Sequence, residues 1–139
     1  MKMKRYVCAV LTLALMLSLG VAHAAALDEV WMEYEDYSGN RAEQSVDSVS
    51  EIKELEAMLL RARDNPAQLD ECTLNCTLFC MTGDGDIYDF AVATDGCPFI
   101  QARSNSAVYS LGDDYARFWE IFADVREGMG YDASAVFDW

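Results

Sequence analysis

The sequence predicts an α+β domain in which an antiparallel sheet of about four to six strands carries two helices on one face. Three observations lead to this fold class. Short segments alternate apolar and polar residues, which is the pattern of half-buried strands. Two longer segments repeat apolar residues at helical spacing. The strand-like segments come in adjacent groups before each helix, which gives the order β-β-α-β-β-β-β-α and favours hairpins over parallel crossovers.

The first hairpin is predicted from an alternating segment and a turn. Residues 30–35, VWMEYE, place apolar side chains on one side and a tryptophan with two glutamates on the other. Residues 38–40, Ser-Gly-Asn, have turn chemistry. We therefore expect residues 41–46 to return as a short partner strand.

The segment SVSEIKELEAMLLRARDNP is the clearest helix in the chain. Ser48 and Glu51 form a capping box, in which the serine oxygen accepts a backbone N–H and the glutamate reaches back. The sequence Asp-Asn-Pro at residues 64–66 ends the helix. The apolar stripe expected to cover the sheet consists of Val49, Ile52, Leu55, Met58, Leu59 and Ala62.

A central hairpin is predicted from CTLNCTLFC at residues 72–80 and IYDFAVAT at residues 87–94. A three-residue loop at residues 83–85, with its last glycine in the left-handed conformation, sets apolar residues opposite one another. A two-residue loop would instead set Cys80 against Asp89, which is a poor core pair. The predicted register pairs Cys80 with Tyr88, Leu78 with Phe90 and Cys76 with Val92.

Two further strands and a helix are predicted in the last third of the chain. The strands lie around residues 99–102 and 107–110, joined by a turn at RSNS. The helix is expected from about Asp114, with Asp113 as its N-cap, to the glycines of EGMG. The apolar tail at residues 131–139 is expected to dock against the domain.

The first 24 residues are predicted to be a signal peptide. Basic residues precede an apolar run at residues 7–21, and Ala-His-Ala then supplies the small-x-small pattern of a cleavage site. The run is shorter than the about 20 residues that a membrane span needs, although a retained N-terminal anchor is the alternative. Cleavage after Ala24 leaves a single domain at residues 25–139, with no membrane span.

Charge and histidine content exclude several classes of function. The chain has a net charge of −14, and removal of three basic residues with the signal peptide leaves −17. Such a chain repels nucleic acid and anionic membranes. The only histidine, His23, lies in the predicted signal peptide. The remaining domain therefore has no Ser-His-Asp or Cys-His catalysis and no histidine-type zinc site.

The cysteines of the predicted central strand are too far apart to bond with one another. In a strand, Cys72, Cys76 and Cys80 would lie on one face about 13 Å apart, whereas a disulfide requires Cα atoms within about 7 Å. Linear spacing also disfavours a tetrahedral metal site. Cys97 is the available partner, with Cys72 as first choice and Cys76 as second. Cys76 and Cys80 are expected to be buried and reduced.

Acidic and aromatic residues offer weaker functional signals. The carboxylates of GDGDIYD, together with Asp95, could hold calcium, but the EF-hand pattern is absent and a turn is favoured. Trp31, Tyr37 and Trp119 could line a sugar- or peptide-binding face, but core packing is favoured.

The segments FCMTGDGDIYDFAVATDGC, VYSL and FWEIF, in this order, resemble small uncharacterised secreted or lipoprotein-type domains of Gram-positive bacteria. The resemblance spans roughly residues 28–125. It implies the α+β fold and an extracytoplasmic location, and it carries no activity.

Taken together, these features predict a secreted or envelope-associated acidic domain, monomeric and without cofactor, that binds a protein or small ligand and has no catalytic or metal-binding residues. Two alternatives remain at this point: a small hydrolase that uses carboxylate pairs, and a thiol-based redox or metal protein.

Overall fold

The computed structural model describes residues 26–69 and 71–129. The predicted signal peptide and the predicted docking of the tail lie outside these residues. The predicted α+β class is confirmed, with one six-stranded antiparallel sheet in the order β2-β1-β3-β4-β5-β6. The elements are β1 Leu27–Glu35, β2 Arg41–Ser45, α1 Val49–Arg63, β3 Cys76–Thr82, β4 Ile87–Val92, β5 Phe99–Ala102, β6 Val108–Ser110, a 3₁₀ turn Gly112–Asp114, α2 Tyr115–Ile121 and α3 Ala123–Gly128.

The hydrophobic core lies between the helices and one face of the sheet. Because side chains alternate along each strand, every second residue of β1 and β3 points into this core. The helices contribute large aromatic side chains from α2 and the linking residue Phe122. The most buried members are Met32, Leu55, Leu78, Cys76, Phe118, Phe122 and Val125.

The central hairpin has the predicted register. Cys76, Leu78 and Cys80 lie opposite Val92, Phe90 and Tyr88. The three-residue loop is also confirmed, since the backbone N–H of Thr82 donates to the carbonyl of Asp86 at 2.9 Å. Gly85 has a φ angle of +87°, the left-handed conformation that this loop requires.

Helix α1 begins and ends as predicted. The Ser48 hydroxyl oxygen accepts the backbone N–H of Glu51 at 3.4 Å, which satisfies one of the unpaired donors of the first turn. Most of the predicted stripe is buried, Leu59 is partly buried, and only Val49 at its start is 68% exposed. Val49 is the first residue of the helix and lines a groove together with residues of β1.

The predicted strand at residues 72–80 begins four residues later than expected, at Cys76. Residues 72–75 leave the ladder because Thr73 makes a different set of contacts. Its N–H donates to the Asp95 carboxylate at 2.8 Å, and its carbonyl accepts the N–H of Thr94 at 2.9 Å. These bonds replace the regular strand pairing beyond Val92.

The predicted C-terminal helix is interrupted, and its predicted N-cap is wrong. Asp113 lies inside the 3₁₀ turn, so its side chain does not cap α2. The helix breaks at Phe122, where ψ is +37°. Phe118 and Phe122 stay in contact within the core across this break, with ring centroids 5.1 Å apart.

A side chain from β2 holds the break between α2 and α3. The Gln44 amide nitrogen donates to the Ile121 carbonyl at 2.6 Å. Its amide oxygen accepts the N–H groups of Asp124 and Val125 at 3.1 and 3.3 Å. One glutamine therefore satisfies backbone groups that the interrupted helix leaves unpaired.

Helix α3 lies very close to β2 at a glycine. A Cβ atom added to Gly128 would lie 2.5 Å from the Cβ of Ala42. This contact requires glycine at position 128, because carbon atoms do not approach so closely.

Candidate functional site

The first-choice disulfide is present: Cys72 is bonded to Cys97, with Cα atoms 6.2 Å apart. The chain reverses at Gly96, whose φ angle of +88° is in the glycine-favouring region, and this turn returns Cys97 toward Cys72. The second choice is wrong, because Cys76 is a buried thiol inside β3. The disulfide joins the segment before β3 to the segment after β4.

Cys76 and Cys80, named here the buried thiols, lie on the core side of β3. Burial raises the pKa of each to about 12, because the thiolate would lose its hydration. The Cys76 sulfur lies 3.8 Å from the Met129 sulfur. Since the thiolate is the nucleophile and the metal ligand, this environment disfavours thiol chemistry.

Asp95 lies beside the disulfide. One carboxylate oxygen and the two cysteine sulfurs lie within 4.8 Å of one another. The sulfurs are bonded to each other, and the carboxylate accepts the N–H of Thr73. The arrangement fixes the local backbone, and an intact disulfide does not offer the thiolates that a metal ion would need.

The carboxylates of GDGDIYD do not converge. Asp84 and Asp86 are exposed in the β3–β4 turn, whereas Asp89 lies on β4 and pairs with Arg103 at 3.6 Å. Within residues 26–69 and 71–129, these carboxylates form no group of three with the spacing of metal ligands. The favoured interpretation of this sequence as a turn agrees with the geometry.

The sheet face opposite the helices, named here the outer face, holds residues that the buried core does not use. On β1 and β3 it carries Trp31 and Phe79, which are paired across the strands. Their rings are stacked, with centroids 5.1 Å apart and planes inclined by 11°. Both are partly buried, and Ile87 on the neighbouring strand is 57% exposed. The outer face therefore combines aromatic and aliphatic surface.

Two glutamates face each other on this surface. Glu33 of β1 lies opposite Glu43 of β2. The N–H of Val46 donates to the carbonyl of Val30, so Val30 and Val46 form a hydrogen-bonded pair of β1 and β2. Hydrogen-bonded and non-hydrogen-bonded pairs alternate along an antiparallel ladder, and Glu33 with Glu43 is therefore a non-hydrogen-bonded pair, whose side chains lie closer together. Neither carboxylate has an ion-pair partner in the part of the chain that the structure describes.

An open groove of about 460 Å³ runs beside this pair of glutamates. Its lining includes Glu33, Glu43, Asn75 and Thr77. A second groove shares Asn75 and Thr77 and extends to Tyr37.

The three aromatic residues singled out in the sequence have different environments. Trp119 is in the core as predicted, with 2% of its surface exposed. Core packing is wrong for Tyr37, which is fully exposed in the β1–β2 turn, where a polar Ser-Gly-Asn sequence gives it nothing to pack against. Trp31 lies on the outer face. Its position on the glutamate-bearing side of β1 followed from the alternation, but its stacking with Phe79 required the order of the strands.

Comparison with known proteins gives no relative: no family model matches the chain, and searches of curated proteins and of solved structures find no match. Among the described helices, the longest has 15 residues, and none is both long and apolar enough to cross a membrane.

Proposed function

We propose that this chain is an exported, acidic, non-catalytic domain that binds a protein or another ligand at or outside the cell envelope. The observation that supports this function best is the outer face. It presents a stacked aromatic pair, an exposed isoleucine and two carboxylates that make no ion pair among the described residues and that lie beside an open groove. Exposed apolar patches that are rimmed by polar groups mark interaction sites.

The chemistry of the domain supports binding over catalysis. The predicted mature region has no histidine. The buried thiols have a pKa of about 12, which argues against a thiol-based reaction. The carboxylates of the outer face lie on an open surface, whereas acid–base hydrolysis requires a carboxylate pair in a cleft that encloses the substrate.

Export is supported by the sequence of the first 24 residues and by the Cys72–Cys97 disulfide, since disulfides persist in oxidising compartments. Expression of the full chain in a bacterium, followed by fractionation and N-terminal sequencing, tests this part. We expect an extracytoplasmic product that begins at Ala25. An uncleaved product that stays in the cytoplasm would contradict it.

Binding is tested by capture from an envelope fraction on the immobilised protein, compared with a Trp31→Ser variant of the outer face. We expect a component that the unaltered protein retains and the variant loses. A matched variant, Tyr88→Ser, removes an aromatic residue that is 50% exposed on the other face of the sheet. Equal capture by all three proteins would contradict the proposed binding face.

A further inference from the structure

We propose that the outer face binds an extended, basic segment of a partner protein along the seam between β1 and β2. This inference rests on the proposed binding function and names the class of ligand. One lysine or arginine side chain lies between Glu33 and Glu43, and a second lies against the ring of Trp31. The segment runs beside β1, so the two basic residues are separated by one intervening residue.

The first cation position follows from an unbalanced pair of charges. Like charges directly opposite on neighbouring strands destabilise a sheet, and the closer pairing at Glu33 and Glu43 increases this repulsion. Among the described residues, the arginines on this side of the sheet make their bonds to other groups. Arg41 bonds to Glu35 at 3.0 Å, and Arg103 bonds to the Thr77 hydroxyl at 2.9 Å beside Asp89. A cation from outside the domain would complement the pair.

The second cation position follows from the environment of Trp31. One side of its ring stacks on Phe79, whereas its partner on the opposite side, in β2, is the small residue Ser45. A guanidinium or ammonium group on that side gains a cation–π interaction.

The spacing of the two positions specifies the ligand further. The pair Trp31 and Ser45 is two residues along the strands from the pair Glu33 and Glu43, which is about 7 Å in a sheet. Side chains at alternate positions of an extended peptide point the same way with the same spacing. The face therefore favours basic residues at alternate positions over the same residues in one block.

Charge disfavours two other occupants of this face. A second copy of the chain brings a net charge of −14 toward the same acidic surface. Residues 131–139 carry Asp132 and Asp138 and no basic residue, so they would be repelled by Glu33 and Glu43 as well. A basic partner is the occupant with complementary charge.

The test is a fluorescence-anisotropy titration of the purified protein with labelled octapeptides at about 50 mM salt, where charge contacts are weakly screened. One peptide alternates arginine with serine, a second has four arginines followed by four serines, and a third contains serine and glycine only. We expect the alternating peptide to bind most tightly and the neutral one not to bind. Equal affinity for the two basic peptides would overturn the predicted spacing.

The matched variants are Glu33→Gln/Glu43→Gln and Asp84→Asn/Glu127→Gln, each of which removes two negative charges. We expect the first to weaken binding of the alternating peptide about tenfold and the second less than about twofold, since exposed charge contacts contribute modestly. Circular dichroism verifies that both variants fold. Equal weakening by both pairs would mean that only net charge matters, and the proposal would be wrong.

Two further outcomes separate this proposal from others. Self-association that Glu33→Gln/Glu43→Gln strengthens, measured by sedimentation, would assign the face to a second copy and overturn the proposal. Envelope capture that depends on Trp31 without binding of the alternating peptide would leave the proposed function standing and refute the basic segment as its ligand.

Discussion

Removal of the Cys72–Cys97 disulfide should lower the free energy of unfolding by about 3.5 kcal/mol. The bond joins residues separated by 25 positions. In the loop-entropy model, closing a loop of that length lowers the entropy of the unfolded chain by about 12 cal/mol/K, which gives about 3.5 kcal/mol at 25 °C. The corresponding change in melting temperature for a domain of about 100 residues is about 15 °C.

The native state should keep most of its contacts when the disulfide is lost. Thr73 still donates its N–H to Asp95 at 2.8 Å and accepts the N–H of Thr94 at 2.9 Å. These bonds hold the two segments together without the sulfurs. The effect should therefore arise mainly in the unfolded ensemble, and native circular dichroism should change little.

The assay is urea unfolding of the unaltered protein and of the Cys72→Ser/Cys97→Ser variant, followed by circular dichroism. A dithiol reductant should lower the stability of the unaltered protein to that of the variant and should leave the variant unchanged. A stability difference below about 1 kcal/mol, or sensitivity of the variant to the reductant, would refute the reasoning.

Three further predictions concern the packing of the domain. Gln44→Ala should destabilise the domain by about 2 kcal/mol, because partly buried backbone groups of the interrupted helix lose their hydrogen-bond partner. Ser45→Ala is the control and should change the free energy of unfolding in urea by less than about 0.5 kcal/mol. Gly128→Ala should lower the free energy of unfolding by about 1–3 kcal/mol, because the new methyl group clashes with Ala42. Gly83 has open space around it, so Gly83→Ala should destabilise the domain less, and thermal unfolding of the two variants compares them. The buried thiols, with a pKa of about 12, should resist a thiol reagent at pH 8 and react once urea unfolds the chain; fast labelling of the native protein would contradict their burial.

Local patterns were sufficient to predict much of the sheet. The register of the central hairpin followed from one rule, that a one-residue shift would turn Cys76, Leu78 and Cys80 away from their apolar partners. The loop glycine at position 85 then had to be left-handed, and it is. Helix α1 was predictable because its cap, stripe and stop signals all lie within 20 consecutive residues of the sequence.

The features that could not be predicted depend on residues far apart in the sequence. The helix break at Phe122 is stabilised by Gln44, whose side chain donates to the carbonyl of Ile121. These two residues are 77 positions apart in the sequence. The late start of the predicted strand at residues 72–80 depends on Asp95, which is 22 positions from Thr73. The open groove next to Glu33 required the strand order, because β1 lies between β2 and β3 and only that order brings Asn75 and Thr77 beside it.

Residues on one face of β2 contribute to the stability of the domain, and residues on its other face contribute to the proposed ligand binding. Gln44 points toward the helices and joins the strand to them through three hydrogen bonds. Glu43, its neighbour, points to the outer face and makes no ion pair among the described residues. Because adjacent residues of a strand face opposite sides, a change at Glu43 should alter ligand binding and leave the core intact. A change at Gln44 should weaken the fold first, and it should reduce binding only to the extent that β2 detaches from the helices.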